Sequence, residues 1–371
     1  MSEMNPCDPI ETHTFLPRGL ATGIGSMPFT NPADALSLVM AEMPEVPHWP
    51  QLPLRNRQEH FIYQFLRPLV DCGMLSFLNQ RWSFDTSREN YPECLTRFYS
   101  RYLAAEDGSP ECLQSFLPPP GAAAGFHAFL CLQADGFSRA HYIKGQIAGP
   151  LTIALELKEE HGRPAYYQAD LRDTIVRTLA LNARGQAEAL LRFGRTPIIF
   201  VDDPAVSAYG SRLHLALSRD DILEDLNVVL AAIQSAGAIA GIHCCEAVDW
   251  SLLIESQAQI LSLDAYRFGA SLIPYADQLR QFLNRGGVVA WGIVPTVDDP
   301  FEESAESLLQ RLYLLWNDLF DRGPNRKTIV QQSMITPACG AGLLAIDRAR
   351  RIYRLTAEVS QGIRKELTAY V

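Results

Sequence analysis

The chain has 371 residues, 47% of them hydrophobic and 20% charged, with a formal net charge of −10. That length and apolar fraction supply a sizeable core and suit one large domain better than two independent enzymes. The acidic balance argues against nucleic acid or an anionic membrane surface as the main partner, and there is no apolar run long enough to span a bilayer.

The first 18 residues are polar and Pro-rich, without the basic-then-apolar pattern of a secretion signal. They read as an N-terminal extension (1–18) ahead of a single domain over 19–371. Eight cysteines, at 7, 72, 94, 112, 131, 244, 245 and 339, are scattered rather than spaced as a framework. This predicts a cytoplasmic protein without disulfides, in which neighbouring cysteines serve as metal ligands or catalytic groups.

Short apolar runs then recur along the chain. They are ATGIGSMPF (21–29), HWPQLP (48–53), AHYIKGQIAG (140–149), TPIIFVDDPA (196–205), AIAGIHCC (238–245), QILSLDAY (259–266), GVVAWGIVP (287–295) and SMITPACG (333–340). Several are continuously apolar, as strands buried on both faces are. Helical patterns fall between them. Residues 31–43 open with an Asn cap and a Pro, and 218–237 with a Ser cap and early acids before closing on Gly. Residues 305–320 and 343–367 carry apolar stripes at helical spacing. Eight strand-then-helix units predict an α/β fold, the (β/α)8 TIM barrel. A doubly wound sheet is the alternative, but its glycine-rich phosphate loop is missing. Residues 85–139 interrupt the alternation with helical segments around PPPGAAAG. They read as a helical insertion between strands two and three, either a lid over the barrel mouth or an elaboration without a role.

The run ending in IHCC carries the sharpest chemistry. Strand side chains alternate faces, so His243 and Cys245 share a face and Cys244 points away. Cys339 ends the eighth run, and barrel strands all end at one rim, where active sites are built. One imidazole and two thiolates suit zinc and leave its fourth position open. Asp264, ending the sixth run, is a candidate fourth ligand or an orienting partner for His243. The same residue types also occur as plain core residues. Coordination of a substrate thiol to zinc removes its proton and presents it as a nucleophile, so the site predicts thiol chemistry.

Other strand ends add candidates. GIGS (23–26) permits close backbone approach to a ligand, or is an ordinary turn. Asp202 and Asp203 fall on opposite faces, so one looks into the mouth, where it suits an ammonium group or a solvated turn. Arg55 follows strand two as a carboxylate clamp or a surface residue.

These motifs, in this order, resemble the catalytic half of cobalamin-independent methionine synthase: GIGS, GPLTIA, FVDDPA, HCC and TPACG, over about residues 19–345. The wider superfamily includes uroporphyrinogen decarboxylase and the methylcobamide:coenzyme M methyltransferases. Its zinc members share His-x-Cys and a distant Cys, here His243, Cys245 and Cys339. The resemblance implies Asp264 where the synthases carry a glutamate ligand. It also implies Ile24, Gly25 and Ser26 at the amino acid's carboxylate and Asp202 at its amino group. The departures lie in the folate half. Glu156 stands for the pterin-stacking tryptophan, Ala208 for a glutamate, Ile293 for the histidine proton donor, and the region of Arg55 for a second acid. The second, N-terminal barrel of the full-length folate enzymes is also missing.

The expected function is therefore zinc-dependent methylation of a small-molecule thiol, homocysteine, by a methylated corrinoid or corrinoid protein. A methyl-folate donor and a coenzyme M-type thiol are the alternatives within this chemistry. A non-catalytic zinc- or corrinoid-binding accessory protein is the alternative outside it. A metal-free tetrapyrrole decarboxylase would leave HCC and TPACG unexplained.

Overall fold

The strands of the computed structural model are, in chain order, β1 (Leu20–Ala21), β2 (Leu75–Leu78), β3 (Arg81–Phe84), β4 (Tyr142–Ala148), β5 (Thr196–Asp202), β6 (Ile239–Cys244), β7 (Ile260–Leu263), β8 (Val288–Val294) and β9 (Ser333–Pro337). The structure describes residues 15–78, 81–212 and 214–369, so most of the 1–18 extension lies outside the described residues. β1 and β4 to β9 form one parallel sheet in the order β1-β9-β8-β7-β6-β5-β4.

Residues 48–51 fill the gap between β1 and β4. Ser26 pairs with Gln51 and His48 with Lys144, both parallel. Gln51 N–H donates to the Gly25 carbonyl at 3.0 Å and Trp49 N–H to the Lys144 carbonyl at 3.2 Å. Pro47, Pro50 and Pro53 have no N–H to donate, so this segment makes isolated bridges where a ladder was predicted. The sheet closes in this way into the predicted (β/α)8-type barrel.

The barrel has two apolar layers. Leu20, Ile198, Phe200, Ile239, Ile260, Val288 and Met334 plug its interior. The alternate residues of the same strands, such as Ile199, Ile242, Leu261 and Ile335, pack outward under the helices. This two-sided burial is why the runs read as continuously apolar. The predicted caps form: Asn31 accepts from Ala33 N–H and Ser218 from Asp221 N–H, and Gly237 ends its helix at φ +74°.

The 85–139 segment forms helices Tyr91–Glu106, Pro110–Gln114 and Ala124–Leu130. These lie along the outside of the barrel. Tyr99 donates to Asp173 at 2.6 Å, Arg177 to Tyr102 at 3.0 Å, and Asn182 to the Phe116 carbonyl at 2.7 Å, all on the long helix Ala169–Leu191. Phe98, Phe116, Phe126 and Phe129 are buried, so packing of an apolar face onto the outer helices places these helices there, while the PPPGAAAG loop meets the rim loop, Asn56 donating to the Gly121 carbonyl and Ala124 N–H to Glu59. The rim also carries the antiparallel hairpin β2–β3, which the sequence reading did not foresee and which docks through Ser83 on Lys158. No helix among the described residues is long and apolar enough to cross a membrane.

Candidate metal centre

β6 alternates as its pattern requires. Ile239 belongs to the inner plug, while Ala240, Ile242 and Cys244 belong to the outer layer. His243 therefore turns into the barrel, with Cys245 just past the strand end. Cys339 stands two residues beyond β9. One ligating atom from each of His243, Cys245 and Cys339 lies within 4.8 Å of the others. Bonds of about 2.3 Å to sulfur and about 2.0 Å to nitrogen around one zinc place such atoms roughly 3.5–4 Å apart, so the set closes on a metal with small side-chain adjustments.

The His243 ring leaves one nitrogen free toward this cluster. Its Nδ1 lies 2.9 Å from Ser262 Oγ, while Nε2 is buried with no partner. A buried nitrogen left unpaired is costly, and ligation is its natural satisfaction. Both thiols are free, and Cys245 faces Cys339 closely enough to donate a hydrogen bond to it. Donation to Cys339, together with burial, pushes Cys245 up, while that bond and the Gly340 N–H hold Cys339 down. The residues present fit zinc.

Asp264 is placed differently. Its carboxylate accepts from Arg267 N–H at 2.8 Å and caps the helix Ala265–Phe268. It is not in the three-atom cluster, although it lies within electrostatic reach of His243. The side chain orienting His243 is Ser262, which in-register pairing of β6 and β7 sets beside it. The sequence reading missed Ser262, and its position two residues before Asp264 on the same strand face was the available signal.

Ser26 abuts the Cys339 loop. Its hydroxyl accepts from Gly342 N–H at 3.3 Å and its carbonyl from Ala341 N–H at 2.9 Å. A Cβ on Gly340 would stand 2.1 Å from Ser26 Oγ, so glycine is required for this approach. Ile24 and Gly25 precede it on the same turn. Asp202 pairs in register with His243 and turns inward, while Asp203 turns away. Asp203 accepts from Leu151 N–H, Thr152 N–H and Thr152 Oγ1 at 3.0, 2.8 and 2.5 Å, capping the helix Pro150–Glu156. GPLT and VDDP are thus two halves of one contact.

Asp202 Oδ1 is buried without a partner, and burial lifts its carboxyl from 3.8 to about 6 against the opposing pull of His243 and Lys144. A raised acid contributes stability that is full below its unfolded value and is lost as pH rises through its folded one. Asp202→Asn in chelator is expected to melt higher than the parent at pH 8 and at the same temperature at pH 3, below the unfolded value of 3.8. Thermal melts check this, and a lower-melting variant at pH 8 would contradict it.

The structure also places the four positions that the resemblance singled out as departures. Glu156 is exposed at its helix end, and Ala208 ends a 3-10 turn. Ile293 is buried in the outer apolar layer. Arg55 is engaged by Glu59 at 2.9 Å, which rules against a free carboxylate clamp. Lys144, Gln146 and His48, buried inside the barrel and absent from the sequence reading, complete the polar interior.

No family model matches the chain, and no curated protein matches it. Among solved structures it is similar to a B12-independent methionine synthase from Shewanella sp. W3-18-1 in complex with selenomethionine, with TM-score 0.54 and 14% identity. The match covers 94% of this chain and 99% of that one. The fold is that of this methionine synthase barrel. A GH113 β-mannanase from Alicyclobacillus acidocaldarius aligns with TM-score 0.33 and 10% identity over 67% of this chain and 79% of its own, which is too distant to carry an argument.

Proposed function

We propose that this chain is a zinc-dependent thiol S-methyltransferase that converts homocysteine to methionine in the cytoplasm, with a methylated corrinoid as donor. The convergence of His243 Nε2 with the Cys245 and Cys339 sulfurs at the barrel rim carries the reading. Zinc held by this set supplies a bound thiol in its thiolate form at neutral pH. Cys245 and Cys339, as thiolates, offset the charge of the ion and leave the incoming sulfur nucleophilic. Asp202 faces the substrate ammonium from the next strand, and the Gly25–Ser26 backbone faces its carboxylate. Selenomethionine bound to the Shewanella protein supports an amino-acid thioether as product.

In the transfer a C–S bond forms and the donor–methyl bond breaks. The electron pair of that bond stays on the donor, and the thiol proton goes to solvent. A cobalt leaving group accepts the pair without a proton, whereas a folate amine needs one. The rim also suits a large apolar donor. Of the eleven exposed large apolar side chains among the described residues, Leu54, Phe61, Leu215, Val297, Phe301 and Leu343 stand on segments that follow the C-terminal ends of barrel strands or of the 48–51 segment. The B12-independent name of the Shewanella neighbour favours a second reading, the same thiol site served by a methyl-folate.

Purified protein given homocysteine and methylcobalamin is expected to form methionine, to stop after chelation, and to resume when zinc is restored. Methionine formation unchanged by chelation would overturn the zinc reading. Full zinc occupancy without turnover would instead favour an accessory protein.

A further inference from the structure

We propose that Lys144 is the positioning residue for the substrate carboxylate. It holds the Ile24 carbonyl inside the barrel and thereby turns the Gly25 N–H toward the mouth. The inference rests on reading the site as one for an amino-acid thiol.

Lys144 lies on β4, fully buried. Its Nζ donates to the Ile24 carbonyl at 2.6 Å and to Gln146 Oε1 at 3.2 Å, and stands 4.5 Å from the Phe200 ring centroid. Burial pulls the Lys144 ammonium down to about 7 against the pull of Asp202, and in either protonation state its Nζ keeps N–H groups for the two acceptors. Gln146 is fixed in turn by donating to the Trp49 carbonyl at 3.0 Å.

The geometry of the peptide unit converts this anchor into a binding surface. The isolated bridges set Lys144 level with His48 and Ser26 level with Gln51, so Lys144 stands deeper in the barrel than the Ile24–Ser26 turn and reaches the Ile24 carbonyl from its inward side. In a trans peptide the carbonyl and the following N–H point in opposite directions. With the Ile24 carbonyl drawn inward, the Gly25 N–H points outward, beside Ser26 and the Cys339 loop. Neither Gly25 N–H nor Ser26 N–H donates to any described residue. Both amides are therefore free to donate to an anion at the mouth.

Gly25 makes the anchor necessary. It has φ +150°, and a Cβ there would lie 2.6 Å from Gln146 Cδ, so only glycine fits. A glycine peptide flips at little cost, and a flipped peptide would aim its carbonyl at the carboxylate. Lys144 selects the binding orientation without touching the substrate.

The test uses protein loaded with Co(II), titrated with homocysteine and with 3-aminopropane-1-thiol, its analogue lacking the carboxylate. Binding is read from the sulfur-to-cobalt charge-transfer band. The parent is expected to bind homocysteine at least tenfold more tightly than the analogue. Lys144→Met is expected to erase that preference, read as the ratio of the two affinities within the same variant, because the ammonium and its Asp202 partner are common to both thiols. Should Lys144→Met fail to fold, Lys144→Gln, shorter and uncharged, is expected to show the same loss. A homocysteine preference that survives in the variant overturns the inference alone. A parent that shows no preference, or binds neither thiol, overturns the amino-acid reading and the inference with it.

Discussion

Cys245→Ser and Cys339→Ser are expected to lose most of their zinc after dialysis, while Cys244→Ser keeps the full complement of the parent. His243, Cys245 and Cys339 each offer one ligating atom to a single cluster. Replacing either thiolate with a hydroxyl leaves two good ligands, and a structural or catalytic zinc site needs at least three. Losing even an outer partner of a zinc ligand costs about 10–100-fold in affinity, so losing a ligand costs more. Cys244 is buried among the outer apolar residues of β6, facing the helices. Its replacement buries a hydroxyl in that layer at a cost of about 1–3 kcal/mol in stability, without touching the metal. Elemental analysis and thermal melts on the three variants separate the two effects. Equal zinc loss in all three would contradict the strand alternation on which the site depends.

Methionine formation from homocysteine is expected with methylcobalamin or a methylated corrinoid protein, and little or none with methyl-tetrahydrofolate in mono- or polyglutamate form. General-acid catalysis is worth on the order of 10²–10⁴ in rate, and a folate amine depends on it while a cobalt(I) corrin does not. Ile293 is buried in the outer layer, and no histidine or acid stands between Trp291 and Val297. Ala208 carries no acid, and Glu156 offers a charge in place of an aromatic stacking face. These features cost a corrinoid enzyme nothing. Turnover with the folate donor equal to that with the corrinoid would overturn the donor assignment and leave the thiol half intact.

Much of the site was legible because its logic is local. Period-2 alternation places His243 and Cys245 on one face and Cys244 on the other in any strand. Continuous apolar runs mark strands buried on both faces, and Asn31 and Ser218 cap their helices through groups two or three residues away. Once the runs are read as parallel strands of a barrel, Cys339 must come to the same rim as Cys245, although 94 positions separate them (339 − 245).

What only the tertiary structure decided is who meets whom across the barrel, because inter-strand register and loop packing leave no periodic trace in sequence. Asp264 read as a candidate fourth ligand or an orienting partner for His243; register sets Ser262 beside His243, and the Asp264 carboxylate accepts from the backbone of the next helix. Asp203 looked as able as Asp202 to face the mouth, until its bonds to Leu151 and Thr152 tied it to the neighbouring strand end. Strand two kept its place but lost its ladder to three prolines. Lys144 reads as an ordinary strand residue, and only barrel closure brings its ammonium under the carbonyl of Ile24, 120 residues earlier in the chain.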